Sequence, residues 1–484
     1  MTDMTAAPIV PPQSRLARIA SPFAVGVTAR IGSQIISFAL VVIAARFLSL
    51  EEFGVYALAA AAAVIGATFV YTGFYHAILR SSDFAKQIDT LFWLQILTGA
   101  LCVIGILATA LAFGGVSTDL GTALFVAAPL PLLAVLTAWN EAQMVREARA
   151  RAASLYALAA EAAGLVAAIW LLAQGWGIFA LLGARYVTTF VGLVLSTALV
   201  RRLPRLRFRP ETVQESGRTA VPLWGTSAIA MFTNYGADFV LAAFLSPAAV
   251  GAFRSGSRIA TTASDVIFKP LHMLSWSRFA RLEQDGCRAE IGAAWCVNMS
   301  FACAMLWPVM AGVVLIAEDL VVTVFDPSWA AAAPVLAILC IGRAVSVPQA
   351  LLEPALMCVN RPGLQVALRL GSGVALLVAL LTLGRFGATE AAIAVALAMA
   401  ATGAVTLFAI VRVLHLSLGQ LAGTFVPGLL LSAGVGGSVL LLAPLLAPLP
   451  TAHGVIVDIL VGALIWAAGM AVFTKAKVLE VPKP

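Results

Sequence analysis

The chain has 484 residues, of which 61% are hydrophobic and 11% charged, with a formal net charge of +7. Soluble globular domains carry about 25% charged residues, and a mean hydropathy of +0.99 leaves too little polar material to cover a water-facing surface. The apolar stretches are continuous, about 20 residues long and rich in Ala, Leu and Val. They fit bilayer-spanning helices and exclude the alternating pattern of a membrane β-barrel.

The first twenty residues are polar and contain prolines, and the apolar run that follows outlasts a signal peptide, so the first span is expected to be retained. Runs of spanning length are expected at 22–47, 53–78, 90–113, 120–140, 153–172 and 178–200. Beyond a polar break come 219–245, 250–273, 291–317, 330–358, 364–383 and 389–411, and 425–446 and 455–473 close an all-α chain of about fourteen spans. The positive-inside rule checks the count. With a cytoplasmic N-terminus, the inside segments hold Arg15, Arg18, Arg80, Lys86, Arg146, Arg149, Arg151, the arginines of 201–218, Arg278, Arg281, Arg288, Arg361, Arg369, Arg412, Lys475, Lys477 and Lys483. That is 22 of the 30 basic residues, whereas the outside ends hold Arg46, Arg254, Arg258 and Arg385. An even number of spans with both termini inside follows, and the +7 charge reports basic cytoplasmic loops and not nucleic acid.

The longest polar stretch, RRLPRLRFRPETVQESGR at 201–218, reads as a basic linker lying on an anionic cytoplasmic leaflet. It divides the chain into an N-terminal lobe (1–200), a C-terminal lobe (219–412) and a last pair of spans with a cytoplasmic tail (413–484). An internal repeat supports the division. In ARFLSLEEFGVYALA and AAFLSPAAVGAFRSG, Phe47, Leu48, Ser49, Gly54 and Tyr56 align without a gap with Phe244, Leu245, Ser246, Gly251 and Phe253. The offset covers six spans, so the halves run the same way through the membrane. Parallel six-helix repeats with a ligand between them are a transporter architecture.

Charges inside the spans are costly and are functional candidates by default. Arg30 lies in the first span, Asp238 in the seventh, Arg343 and Glu353 in the tenth, and Glu161 and Arg185 in the fifth and sixth. The eighth is the most informative, because Arg254, Arg258, Thr261, Asp265, Lys269 and His272 fall on one helical face. Asp265 and Lys269 can pair at i,i+4, as an internal salt bridge or as part of a substrate site. Arg254 and Arg258 have no partner on their own helix. Either they snorkel at the outer interface, or they form an anion site whose planar forks suit a phosphate or diphosphate. Glu161 and Arg185 read as a mutual structural pair. The six cysteines, mostly in apolar runs and without a CxxC or Cys/His pattern, read as packing residues. The isolated histidines hold no metal. No cofactor is expected, and the missing P-loop, HExxH and GxSxG motifs and the short outside loops argue against an enzyme.

These residues resemble a family. Arg30-Ile31-Gly32-Ser33-Gln34 followed by AARFLSLEEFGVYALA, Gly73 with Arg80, Asp238 followed by FLSPAAVGAFRSGSRIA, SWSRFARLEQDG and VFDPSWAAAAPVLAIL are similar to the polysaccharide-transport (Wzx-type) oligosaccharide flippases. Those belong to the MATE-like multidrug/oligosaccharidyl-lipid/polysaccharide exporter superfamily. The resemblance implies a V-shaped pair of six-helix lobes in the bacterial inner membrane, moving an undecaprenyl-diphosphate-linked oligosaccharide by alternating access for exopolysaccharide or O-antigen (lipopolysaccharide) synthesis. Polysaccharide polymerase and glycosyltransferases are the protein partners it implies. Arg30, Arg254, Arg258, Lys269 and Arg343 are then the expected contacts to diphosphate or acidic sugar. Asp238, Asp265 and Glu353 are the charge-balancing or ion-coupling candidates. The spans beyond residue 412 are similar to fourteen-span members, including lipid II flippases, so that substrate stays open. A MATE-type cation antiporter fits poorly, since the first span carries Arg30 and no carboxylate. A non-transporting scaffold would leave the buried charges unexplained.

Overall fold

The computed structural model describes residues 22–482 apart from 81, 82, 148, 288, 289, 447 and 449. Arg15, Arg18, Arg288 and Lys483 of the basic count lie outside the described residues, as do the side chains of Arg30 and Arg80. Among the described residues the secondary structure is helical, with no strand.

The helices of the first half are α1 (Pro22–Ala44), α2 (Leu50–Val70), α3 (Phe74–Arg80), α4 (Phe84–Ala112), α5 (Asp119–Ala127), α6 (Leu130–Arg146), α7 (Ala150–Ala173) and α8 (Ile178–Val200). The second half holds α9 (Pro210–Phe244), α10 (Pro247–Gln284), α11 (Ile291–Leu315), α12 (Ala317–Val324), α13 (Ala332–Val345), α14 (Leu352–Cys358), α15 (Pro362–Ala379) and α16 (Ala388–Val413). The pair α17 (Leu418–Leu446) and α18 (Thr451–Lys475) follows. Among the described residues, ten helices are long and apolar enough to cross a membrane, and the pair Ala332–Val345 and Val347–Cys358, bent by 51°, makes an eleventh if it is one span. The chain is a multi-pass membrane protein. The expected first, seventh and eighth spans are helices as well, α1, α9 and α10.

Two expected spans are broken. The second runs from Leu50 to Leu79 but changes course at Tyr71–Gly73, where Gly73 takes φ +49°. The tenth breaks after Val345, with Pro348 interrupting the hydrogen-bond ladder. The expected linker is also shorter in backbone terms. Pro210 begins α9 with Glu211 in its first turn, so 210–218 is helix and only 201–209 is non-helical. That segment docks on α4: Trp93 Nε1 donates to the Arg205 carbonyl (2.9 Å), and the Arg205 N–H donates to the buried Asp89 carboxylate (3.2 Å).

Small residues set the helix spacing, as expected where apolar surface gains nothing by leaving lipid. Gly66 meets Pro131 and Cys102, and Gly428 lies on the backbone of Cys303. Cys303, Cys340 and Cys358 are buried packing residues. Trp139, Trp295 and Trp329 fill the largest buried volumes.

The repeat has a structural counterpart. Ser49 caps α2 in a reciprocal box with Glu52 (2.9 and 3.2 Å), and Ser246 caps α10 through the Ala249 N–H (3.3 Å). The two capped helices then cross at their glycines. A side chain on Gly54 would run into the Pro247 carbonyl, and one on Gly251 into the Leu50 carbonyl. Residues 50 and 247 are themselves repeat equivalents, so the contact is reciprocal, as at a two-fold interface.

Candidate functional site

Beyond the glycine crossing, the polar residues of six helices converge. Asp238 on α9 is almost fully buried, 2% exposed, and its carboxylate lies 2.7 Å from Arg254 Nη1 on α10. Arg254 also stacks on Tyr235, its guanidinium carbon 5.0 Å from the ring centre, a cation–π contact that holds the fork in place. One turn further, Arg258 donates from Nη2 to the Ser37 hydroxyl on α1. Its Nε–H is buried and has no hydrogen-bond partner among the described residues. Arg185 on α8 stands within electrostatic reach of Tyr56 on α2 and of Glu161, Tyr235 and Arg258.

A second group continues along the same face of α10. Arg343 on α13 donates from Nη2 to Thr261 Oγ1 (2.8 Å) and faces the charge of Asp265. Asp265 in turn pairs with Lys269 at 2.7 Å, with side chains 30% and 48% exposed. The α10 stripe seen in the sequence is therefore real, and α8, α9 and α13 complete it.

The charge balance follows from these contacts. Among the described side chains, Arg185, Arg254, Arg258, Arg343 and Lys269 oppose Glu161, Asp238 and Asp265, leaving two positive charges over. Each guanidinium keeps donors to spare, since arginine carries five N–H groups. An arrangement with excess positive charge, planar forks and an unmatched buried donor can hold a multiply charged oxyanion.

Of the residues picked from the sequence, Arg254, Arg258, Arg343, Lys269, Asp238 and Asp265 lie along one polar face. Arg30 sits on α1, the helix that brings Ser37 to Arg258, but its side chain lies outside the described residues. Glu353 is separate: it pairs with the exposed Arg369 at 3.3 Å, on α14 and α15. Arg185 was not expected in the site. It read as the partner of Glu161, and that carboxylate is within its electrostatic reach, but Tyr56 and Arg258 are as well, which puts a cation from the first half beside those of the second. No sequence spacing reveals that pairing, because it depends on which faces of α2, α8 and α10 meet.

A groove of about 660 Å³ elsewhere is lined almost entirely by apolar side chains, among them Trp307, Met310, Val314, Phe425 and Leu429. It suits a hydrocarbon chain and not an ion.

The polysaccharide biosynthesis protein family matches residues 43–334, more than half the chain and a stretch that holds Tyr56, Arg185, Asp238, Arg254 and Arg258. The chain belongs to that family. The family resemblance read from the opening hairpin is thus borne out. Among curated proteins, the succinoglycan biosynthesis transport protein ExoT of Rhizobium meliloti (strain 1021) is 24% identical over 328 residues, 66% of this chain; the match spans 65% of that relative's length. Among solved structures, the lipid II flippase MurJ in an inward closed conformation superposes with a TM-score of 0.74 at 10% identity, covering 94% of this chain and 99% of that one. An inward-facing multidrug resistance MATE family transporter gives 0.61 at 15% identity, covering 79% and 96%. At these identities the likeness concerns the fold alone.

Proposed function

We propose that this family member is a flippase that moves an undecaprenyl-diphosphate-linked oligosaccharide across the bacterial inner membrane by alternating access, for surface polysaccharide synthesis. The observation that carries the reading is the sign of the site. Arg185, Arg254 and Arg258 gather between the two repeat halves, with a buried Arg258 Nε–H still unmatched. A diphosphate offers acceptor oxygens and negative charge in the geometry that arginine forks select. A cationic drug would meet repulsion there. The apolar groove beside Trp307 and Phe425 supports a long prenyl chain as the other part of the ligand. The transport protein of R. meliloti carries succinoglycan biosynthesis in its name, and that agrees with a polysaccharide precursor as cargo.

In this reading, residues 1–200 and 219–412 act as two lobes that part alternately, and 413–484 adds the last two helices. The termini lie in the cytoplasm, as the basic loops argue. Arg30, Arg254, Arg258, Lys269 and Arg343 contact the charged headgroup, and Asp238 and Asp265 balance charge while the site is vacant. Glu353, with Arg369, holds α14 to α15. The protein's part is binding and reorientation, with no bond made or broken.

The test is made in cells from which the chromosomal copy has been deleted. Arg258→Ala and Arg254→Ala should each abolish surface polysaccharide while membrane levels of the protein stay normal. Arg258→Lys should restore part of it, because the charge returns without the fork. Full surface polysaccharide in both alanine variants would overturn the assignment.

A further inference from the structure

The three carboxylates picked from the sequence for ion coupling are each paired with a cation, Asp238 with Arg254, Asp265 with Lys269 and Glu353 with Arg369. Glu141 is not. It lies half-buried on α6, where its Oε2 accepts a hydrogen bond from the Tyr156 hydroxyl on α7 (2.8 Å) and its Oε1 a longer one from the Tyr75 hydroxyl on α3 (3.4 Å). Tyr75 and Tyr156 are buried, and Tyr71, at the end of the α2 segment, adds a third phenol within electrostatic reach.

The neighbouring helices bring no positive charge to it among the described residues. On α6 itself, Arg146 spends its guanidinium on the carbonyls of Ile78 and Leu79 (3.1 and 3.3 Å) and on the Phe84 ring. From α4, Asp89 accepts the Arg205 N–H. From α8, Arg185 faces Tyr56 and Glu161. From α3 comes His76, whose ring stands edge-on to Tyr75 at 5.5 Å. From α7 comes the Tyr156 phenol, and from just past the end of α2 that of Tyr71.

Tyr75 also has a mechanical position. It lies on α3, past the break at Gly73, and its neighbour Phe74 packs edge-on against Trp224 of α9 (4.9 Å). Trp224 Nε1 donates to the Phe69 carbonyl (3.0 Å) just before the break. One seven-residue helix thus touches the carboxylate on one side and the second repeat half on the other.

We propose that Glu141 is a proton-binding site whose occupancy sets the position of α3 against α9. A hydronium ion gives its proton to the carboxylate and leaves as water; reionisation returns the proton to water. Protonation turns two charge-assisted hydrogen bonds into neutral ones of about half the strength, and the longer bond, to Tyr75, is the first to be lost. A metal cation is disfavoured because both phenols direct hydrogens, not lone pairs, at the carboxylate, and hard cations demand a shell of oxygen acceptors. The inference rests on the transporter reading but names no cargo.

The test uses the full chain in nanodiscs without substrate. Hydrogen exchange of residues 74–80, normalised to the intrinsic rate at each pH, is followed from mildly alkaline to mildly acidic buffer. The wild type should lose protection about tenfold on acidification, with a one-proton midpoint. Glu141→Gln should show the acid pattern throughout, and Tyr75→Phe should show no pH response while binding of the proton to Glu141 persists. Glu141→Asp, which keeps a titrating group, should retain the response with a moved midpoint. A wild-type profile in Glu141→Gln would overturn the proposal, as would loss of the response in His76→Gln or a response that follows sodium at constant pH. Because no cargo is present, failure here leaves the substrate assignment standing, and failure of that assignment leaves this result standing.

Discussion

The reciprocal crossing of α2 and α10 gives the sharpest mechanical prediction. In Gly251→Ala the new methyl group would meet the Leu50 carbonyl, with the Gly54 amide nitrogen 3.2 Å away as well. Sliding the helices gives no relief, because Gly54 makes the same approach to Pro247. Forcing a methyl group into a packed site costs about 1–3 kcal/mol. That penalty falls on the crossed state alone, since parted helices accommodate alanine without strain. Taking about 2 kcal/mol, the ratio of crossed to parted molecules drops about thirtyfold, so a parted population of about 1% rises to about a quarter. Spin labels at Glu51 and Ala248, in a background with the six native cysteines replaced, report the separation of the two helix starts by double electron–electron resonance. The wild type should give one short distance, and Gly251→Ala a second, longer one. A single wild-type distance in a folded Gly251→Ala protein would refute the reasoning.

Other substitutions probe separate parts of the account. Asp238→Asn leaves Arg254 without its buried counter-charge and should lower stability by about 3 kcal/mol, the low end for breaking a buried pair since Arg254 keeps the Tyr235 ring; thermal unfolding measures this, and Asp238→Asn with Arg254→Gln should recover part of the loss. Asp265→Asn breaks a pair that is 30% and 48% exposed and should cost no more than about 1 kcal/mol in the same assay. Gly73→Ala forces a left-handed residue and pushes against the Trp224 indole; it should destabilise by about 1–2 kcal/mol from the backbone alone, with a shifted tryptophan emission.

Much of this fold was legible in the sequence because lipid imposes a coarse rule: long apolar runs must be helices. The repeat was legible too, since Ser49 and Ser246 cap helices and Gly54 and Gly251 sit where two backbones touch. Breaks within spans were harder. Gly73 and Pro348 are ordinary punctuation in a sequence, and only packing against Trp224 and the turn after Val345 gives them meaning. The candidate site was legible where a charge interrupts an apolar run, as at Arg258, Asp238 and Arg343. Arg185 was read only as the partner of Glu161, so its place beside Tyr56 and Arg258 was missed. Glu141 was passed over because the fourth span was expected to end at residue 140, whereas α6 continues to Arg146 and takes the carboxylate into the phenol cluster. Both omissions concern three-dimensional neighbours that no spacing along one helix encodes.

The central claim is that the clustered arginines read a diphosphate. Purified protein in liposomes should move an undecaprenyl-diphosphate-linked oligosaccharide between leaflets much faster than its monophosphate-linked counterpart, and Arg258→Ala should erase that preference. Equal rates for the two lipids in the wild type, or an unchanged preference in Arg258→Ala, would contradict the account.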